Sequence, residues 1–205
     1  MPGYWSVTKR AAVVLLLLGV SACASTQIEA TWSNPEFANR TPGGRVLVAG
    51  VTRDDTARRL YEDEMVAQLR RRGVDAIRSY DSVASPLADG GGTALIDAAK
   101  RNNATGILSS ALVAREHVQR VRVDPAPPWG WDYYGWYGYY WPYGYARVET
   151  DDFDRYYVST TLTDVNSGKI FWSARTRSDT PGRIEKEIKD FVSVISEALL
   201  RSGLM

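Results

Sequence analysis

Among its 205 residues the chain holds one cysteine, Cys23, and one histidine, His117. A lone cysteine excludes an internal disulfide framework, so stability has to come from an ordinary apolar core. With a single imidazole and a single thiol there is no Cys/His set for zinc. A Ser/His/Asp triad would have to use His117, and no serine stands in a Gly-x-Ser-x-Gly elbow. Charge of one sign is also missing: 25 basic side chains face 24 acidic ones, which leaves no electrostatic footprint for nucleic acid. Nor is there an apolar run near the ~20 residues of a membrane-spanning helix; the longest, Ala11 to Val20, is half that. The triplet Gly90-Gly91-Gly92 lacks the Gly-Lys-Ser/Thr ending of a phosphate-binding loop. Glu149, Asp151, Asp152 and Asp154 lack the spacing and turn glycine of a calcium loop and read as a solvated strand entrance. No catalytic residue, metal or cofactor is expected, and a binding role is expected in place of an enzyme's.

What the amino terminus does contain is a processing signal. Lys9 and Arg10 precede the apolar run, and Val20-Ser21-Ala22-Cys23 follows it with small residues where a peptidase threads the backbone. Ending on cysteine, this resembles the lipobox of bacterial lipoproteins; the alternative is an ordinary secretion signal beside an incidental cysteine. The resemblance implies removal of residues 1–22 and acylation of Cys23 by diacylglycerol and a fatty acid such as palmitate. Two or three acyl chains hold a protein to a bilayer essentially permanently, whereas one does so only marginally. Ala24, where an inner-membrane lipoprotein usually carries aspartate, implies the outer membrane, facing the periplasm.

Residues 23–44 read mostly as a lipidated tether, which if flexible would reach about 25 Å, although Trp32 and Phe37 are the kind of residues that dock, and a short strand or docked segment there is the alternative. A periplasmic domain is expected over residues 45–205. Arg45 to Thr52 (RVLVAGVT) is an apolar, β-branched run of the kind buried on both faces of a sheet. After it, Asp54 or Asp55 caps a helix striped by Ala57, Tyr61, Met65 and Leu69, and Gly73 stops it. Short strands at Val74 to Ser79 and Gly106 to Ala114 flank a helix from Thr93 to about Asn102, which predicts parallel pairing through right-handed crossovers. Glu116 to Val123 extends the last of these strands. Tyr156 to Val165, the turn Asn166-Ser167-Gly168-Lys169 and Ile170 to Arg177 form a hairpin. Thr180 and Pro181 open a final helix striped by Ile184, Ile188, Phe191, Val192, Ile195 and Leu199, which belongs to the core. The expectation is an α/β fold: a mixed sheet, parallel first and antiparallel after, with packing helices that include a C-terminal one.

At about 125–147 lies an insert of unusual composition. Trp129, Trp131, Tyr133, Tyr134, Trp136, Tyr137, Tyr139, Tyr140, Trp141, Tyr143 and Tyr145 are separated chiefly by glycine and proline. So many rings interrupted by glycine do not make a compact core, so a surface loop or long hairpin is expected. Such rings anchor protein interfaces, stack on the apolar faces of peptidoglycan or lipopolysaccharide sugars, or sit at a membrane surface. A biased insert without a ligand is the remaining alternative. These eleven residues are the candidate partner-binding set.

Several short stretches in a fixed order carry a family resemblance over nearly the whole chain. They are Trp32-Ser-Asn-Pro35, Arg45-Val-Leu-Val48, Glu62, Gly73-Val74 and Ser79-Tyr80. The Tyr/Gly-rich insert, Asp164-Val-x-x-Gly168-Lys169, Trp172-Ser173 and Gly203-Leu204 complete the set. In these the chain resembles small proteobacterial outer-membrane lipoproteins, a group with no assigned activity. Its order of elements is similar to the amino-terminal domain of the Tol-system translocation protein, to lipoproteins that activate penicillin-binding proteins and to the curli secretion lipoprotein. These relatives work by binding partners. The resemblance therefore implies a lipid-anchored accessory or scaffolding protein that binds an envelope protein, the alternative being a glycan-binding module.

Overall fold

A computed structural model of the chain describes residues 26–37, 43–83, 92–124, 147–180 and 183–203. Its elements are β1 (Thr26–Ser33), β2 (Arg45–Val51), α1 (Asp55–Arg71), β3 (Ala76–Arg78), α2 (Gly92–Arg101), β4 (Ala104–Asp124), β5 (Arg147–Asp164), β6 (Ile170–Thr180) and α3 (Ile184–Arg201). The strands form one mixed sheet in the order β1-β6-β5-β4-β2-β3. β2 pairs in parallel with β3 and β4, and β4, β5, β6 and β1 pair antiparallel in succession. This is the α/β architecture that the alternation of elements predicts.

The apolar run of β2 shows why the sheet is covered on both sides. Val46 and Val48 point into a core with Tyr61, Met65 and Leu69 of α1 and Phe191, Val192, Ile195 and Leu199 of α3. Leu47 and Ala49 point the other way, onto Leu95, Ala98 and Ala99 of α2. Successive residues of a strand face opposite sides, so a strand with helices above and below has to be apolar throughout. Helix ends follow their local chemistry. Asp54 Oδ1 accepts from the N–H groups of Thr56 (2.9 Å) and Ala57 (3.0 Å), as an N-cap should. At the other end Gly73 sits at φ +84°, and the N–H of Val74 reaches the Leu69 carbonyl at 3.0 Å. That pattern is the Schellman stop, which needs a residue without a Cβ penalty in the left-handed region.

Three boundaries differ from the sequence expectation. The segment read mostly as a tether enters the sheet at Thr26: Thr26–Ser33 runs antiparallel to β6, and Phe37 packs edge-on against Phe171 with ring centroids 4.2 Å apart. The folded domain therefore begins at Thr26, not at Arg45, and only Ala24 and Ser25 stand between it and Cys23. Thr180 does not cap the last helix, because it is still in β6, paired with Asp154; α3 begins at Ile184 with Arg183 as N-cap. The strand expected from Tyr156 starts nine residues earlier, at Arg147, because that stretch pairs with the outward continuation of β4. Among the described residues no helix is long and apolar enough to cross a membrane.

Candidate functional site

β4 and β5 outgrow the rest of the sheet. β2 leaves β4 at Ala111, and β6 leaves β5 at Asp154, which lies opposite His117. From Val118↔Phe153 to Asp124↔Arg147 the two strands pair only with each other, an arm about 23 Å long at the usual rise per residue. A bulge at Val113, between the pairs Leu112↔Val158 and Ala114↔Tyr157, marks where β4 parts from its parallel neighbour. Bulges bend a strand and sharpen its twist. Here the bulge turns both Leu112 and Val113 outward, 52% and 51% exposed.

The root of the arm is strapped by charge. Arg155 grips Asp179 of β6 with two bonds, Nε to Oδ1 at 2.6 Å and Nη2 to Oδ2 at 3.0 Å, the bidentate geometry that fixes orientation as well as energy. Across the arm Arg115 Nη2 donates to Asp154 Oδ2 at 2.5 Å, and His117 Nδ1 lies 3.3 Å from Asp154 Oδ1. The hydrogen bond from Arg115, then that from His117, holds the Asp154 carboxyl below the usual carboxylate range, and Asp154 in turn raises Arg115. Asp179 likewise raises the Arg155 guanidinium. Tyr157 donates to Glu116 Oε2 at 3.1 Å, and the guanidinium of Arg175 stands 5.0 Å from the Tyr157 ring centre. His117 is thus an exposed strand residue, and among the described residues no group of His, Cys, Asp and Glu could hold a metal ion.

Beneath the arm root, at the carboxyl ends of β2 and β3, lies the crevice where open α/β sheets usually receive ligands. In this protein side chains of α1 fill it. Arg58 and Glu62, both 0% exposed, form an i,i+4 pair at 3.0 Å. Glu62 Oε1 also accepts from the Gly50 N–H at 3.0 Å and from Ser79 Oγ at 2.7 Å, and Oε2 accepts from the Tyr80 N–H at 3.0 Å. Arg58 Nη2 donates to Ser79 Oγ at 2.9 Å and to the Val83 carbonyl at 3.0 Å. Both carboxylate oxygens are engaged by the fold, so the pair locks α1 to the ends of β2 and β3. A second polar chain, Tyr61 Oη to Ser110 Oγ to Thr160 Oγ1, both steps 2.8 Å, crosses the core to β5. Burial pushes the Tyr61 phenol up, against the opposing effect of its bond to Ser110.

Cys23 and the eleven aromatic residues Trp129, Trp131, Tyr133, Tyr134, Trp136, Tyr137, Tyr139, Tyr140, Trp141, Tyr143 and Tyr145 lie outside the described residues. What the structure does fix is where the insert is attached: residues 125–146 join Asp124 to Arg147 at the tip of the arm. Sequence reasoning missed Arg58. The available signal was a charged pair, Arg58 and Glu62, four residues apart on the same helix face as Met65 and Leu69; a solvated pair would lie opposite that stripe.

No protein-family model and no curated protein matches the chain. Among solved structures it is similar to the PelC dodecamer from Paraburkholderia phytofirmans, with 17% identity over 88% of this chain and 99% of that one, at a TM-score of 0.47. It is also similar to lipoprotein GNA1162 from Neisseria meningitidis, with 11% identity over 77% of this chain and 99% of that one, at a TM-score of 0.43. Likenesses this distant assign no role to any residue here.

Proposed function

We propose that the protein is a lipid-anchored, non-enzymatic accessory or scaffolding component of the outer membrane, which offers the β4–β5 arm and its aromatic insert to an envelope protein on the periplasmic side. The observation that carries this reading is the arm itself. A sheet that already buries its core has no structural need for a two-stranded extension, and isolated two-stranded ribbons are marginal in water. Here the extension is strapped at its root by Arg155–Asp179 and Arg115–Asp154. The sequence between its two strands is rich in Trp and Tyr, the residues that bury most interface area for little lost rotamer freedom. The crevice where a small ligand would sit is instead occupied by the Arg58–Glu62 pair, which supports binding by the arm over catalysis in the crevice.

A photoreactive amino acid placed at Gln119 or Asp152, exposed positions opposite each other on the arm, tests this in living cells. The same group at Asn166, in the turn at the far end of the sheet, serves as control. Discrete protein adducts from the arm and none from Asn166 are expected. Muropeptide or lipopolysaccharide adducts in their place would favour glycan binding, and an arm that captures nothing would refute the proposal.

A further inference from the structure

The register across the sheet ties the direction of the arm to the place of the anchor. Thr26 pairs with Ser178, Ser178 with Tyr156, and Tyr156 with Arg115, so these four residues lie on one line at one end of the sheet. From that line β4 continues outward to Asp124, about 30 Å further on. The remainder of the sheet runs the opposite way, with Ser33 about 23 Å along β1 from Thr26. Cys23 is three residues before Thr26, and three residues of fully extended chain span at most about 11 Å. We infer that the β4–β5 arm lies along the bilayer leaflet that holds the acyl chains of Cys23, with the lipid–water interface as its binding partner. The inference rests on the anchor reading made above.

If the arm pointed away from the bilayer, the body of the sheet would stand between Thr26 and the lipid, and an 11 Å tether cannot span 23 Å. If the arm pointed straight in, its paired strands would enter hydrocarbon. Residues 115–124 and 147–156 carry five arginines and six carboxylates, and ionised side chains in the hydrocarbon region are costly. With both extremes closed, the arm runs near the membrane plane, with its charges among headgroups. The composition of the segment it carries suits that layer. Between Trp129 and Tyr145 eleven of 17 residues are Trp or Tyr and only Asp132 is charged, and amphipathic rings settle where lipid meets water. Any protein partner of the arm is then met at that same surface, embedded in the membrane or lying on it.

Full-length acylated protein makes the test direct, because lipid blocks the thiol of Cys23. Gln119→Cys then supplies a unique reactive thiol on the arm, and Asn166→Cys supplies one at the far end. Each variant is labelled with an environment-sensitive fluorophore and reconstituted into vesicles of phosphatidylethanolamine and phosphatidylglycerol containing a headgroup-nitroxide lipid. Mass spectrometry first establishes the acylation state. Quenching several-fold stronger at Gln119 than at Asn166, with Gln119 shielded from aqueous iodide, is the expected result. Equal quenching at the two positions in an acylated, vesicle-bound chain overturns the inference and leaves the anchor standing. So does lipid contact seen only in native envelope membranes, since a protein would then be holding the arm. A chain whose Cys23 carries no lipid overturns the anchor reading and this inference with it.

Discussion

Replacing Glu62 with alanine tests how α1 is locked to the ends of β2 and β3. In the native chain Glu62 accepts from Gly50 N, Arg58 Nε, Ser79 Oγ and Tyr80 N, and nothing of it or of Arg58 reaches solvent. Glu62→Ala leaves the Arg58 guanidinium buried beside lost acceptors. Removing one partner of a buried ion pair costs about 3–5 kcal/mol, a large share of the roughly 5–15 kcal/mol that holds a domain together. Arg58→Leu strands the carboxylate and should cost a similar amount. Replacing both with apolar residues removes the two charges together, which is often close to neutral. Here, however, Gly50 N, Ser79 Oγ and Tyr80 N still lose their acceptor, at about 1–3 kcal/mol for each buried group left unpaired. The double variant should therefore be less stable than the native chain, yet clearly more stable than the sum of the single losses requires. Urea unfolding of the unlipidated chain, residues 24–205, gives the four free energies of the cycle. A Glu62→Ala loss below about 1 kcal/mol with an unchanged m-value, or strict additivity of the two substitutions, would refute the lock.

Other consequences are testable with the same material. Phe191→Ala removes a buried ring that meets Tyr61 at a centroid distance of 5.9 Å; a loss of about 3–5 kcal/mol and a strongly lowered melting temperature are expected. An unchanged thermal transition would make α3 a peripheral appendage. Replacing Trp129 to Tyr145 with a short Gly/Asn turn should change stability by no more than about 1 kcal/mol, since closure entropy varies slowly with loop length; a collapse in calorimetry would place those rings in the core. Asp154, held low by Arg115 and His117, contributes stability that is complete above the unfolded value of about 3.9 and is lost as pH falls through its depressed folded value. Carboxyl NMR should show Asp154 titrating below the ordinary range, and moving up towards it in Arg115→Ala; no movement would mean that the ion pair does not form in solution.

Legibility in the sequence tracked how far each element depends on its own side chains. β2 and α3 were readable because burial writes a pattern: apolar throughout for a strand covered on both faces, a stripe for a helix covered on one. The turn at Asn166 to Lys169 was readable because Gly168 adopts φ +68° and Asp164 Oδ2 accepts from the Ser167 N–H at 2.8 Å, both local chemistry. β1 was not. Apart from Thr26, every residue of TQIEATWS is exposed, so its identity as a strand comes from backbone bonds to β6 and not from any alternation. In the outer hairpin the β4 half, the extension over Glu116 to Val123, was readable, whereas the β5 half was hidden for the same reason: its charged residues suit a solvated entrance, and only pairing with β4 makes them a strand. The aromatic insert was conspicuous as composition, whereas its attachment to an arm at the Thr26 end of the sheet emerges only from the register. Arg58 was obscured by its charge, which ordinarily marks a residue as solvated.

The account stands on Cys23 holding the domain to the membrane so that the arm works from there, and one comparison addresses both halves. Photocrosslinking from Gln119 is measured in cells expressing the native chain and in cells expressing Cys23→Ala at equal periplasmic abundance. The account predicts that the native chain fractionates with the outer membrane and yields arm adducts, whereas Cys23→Ala is soluble and loses them. A Cys23→Ala protein that stays in the membrane fraction, or that is soluble and keeps the same adducts, would contradict it.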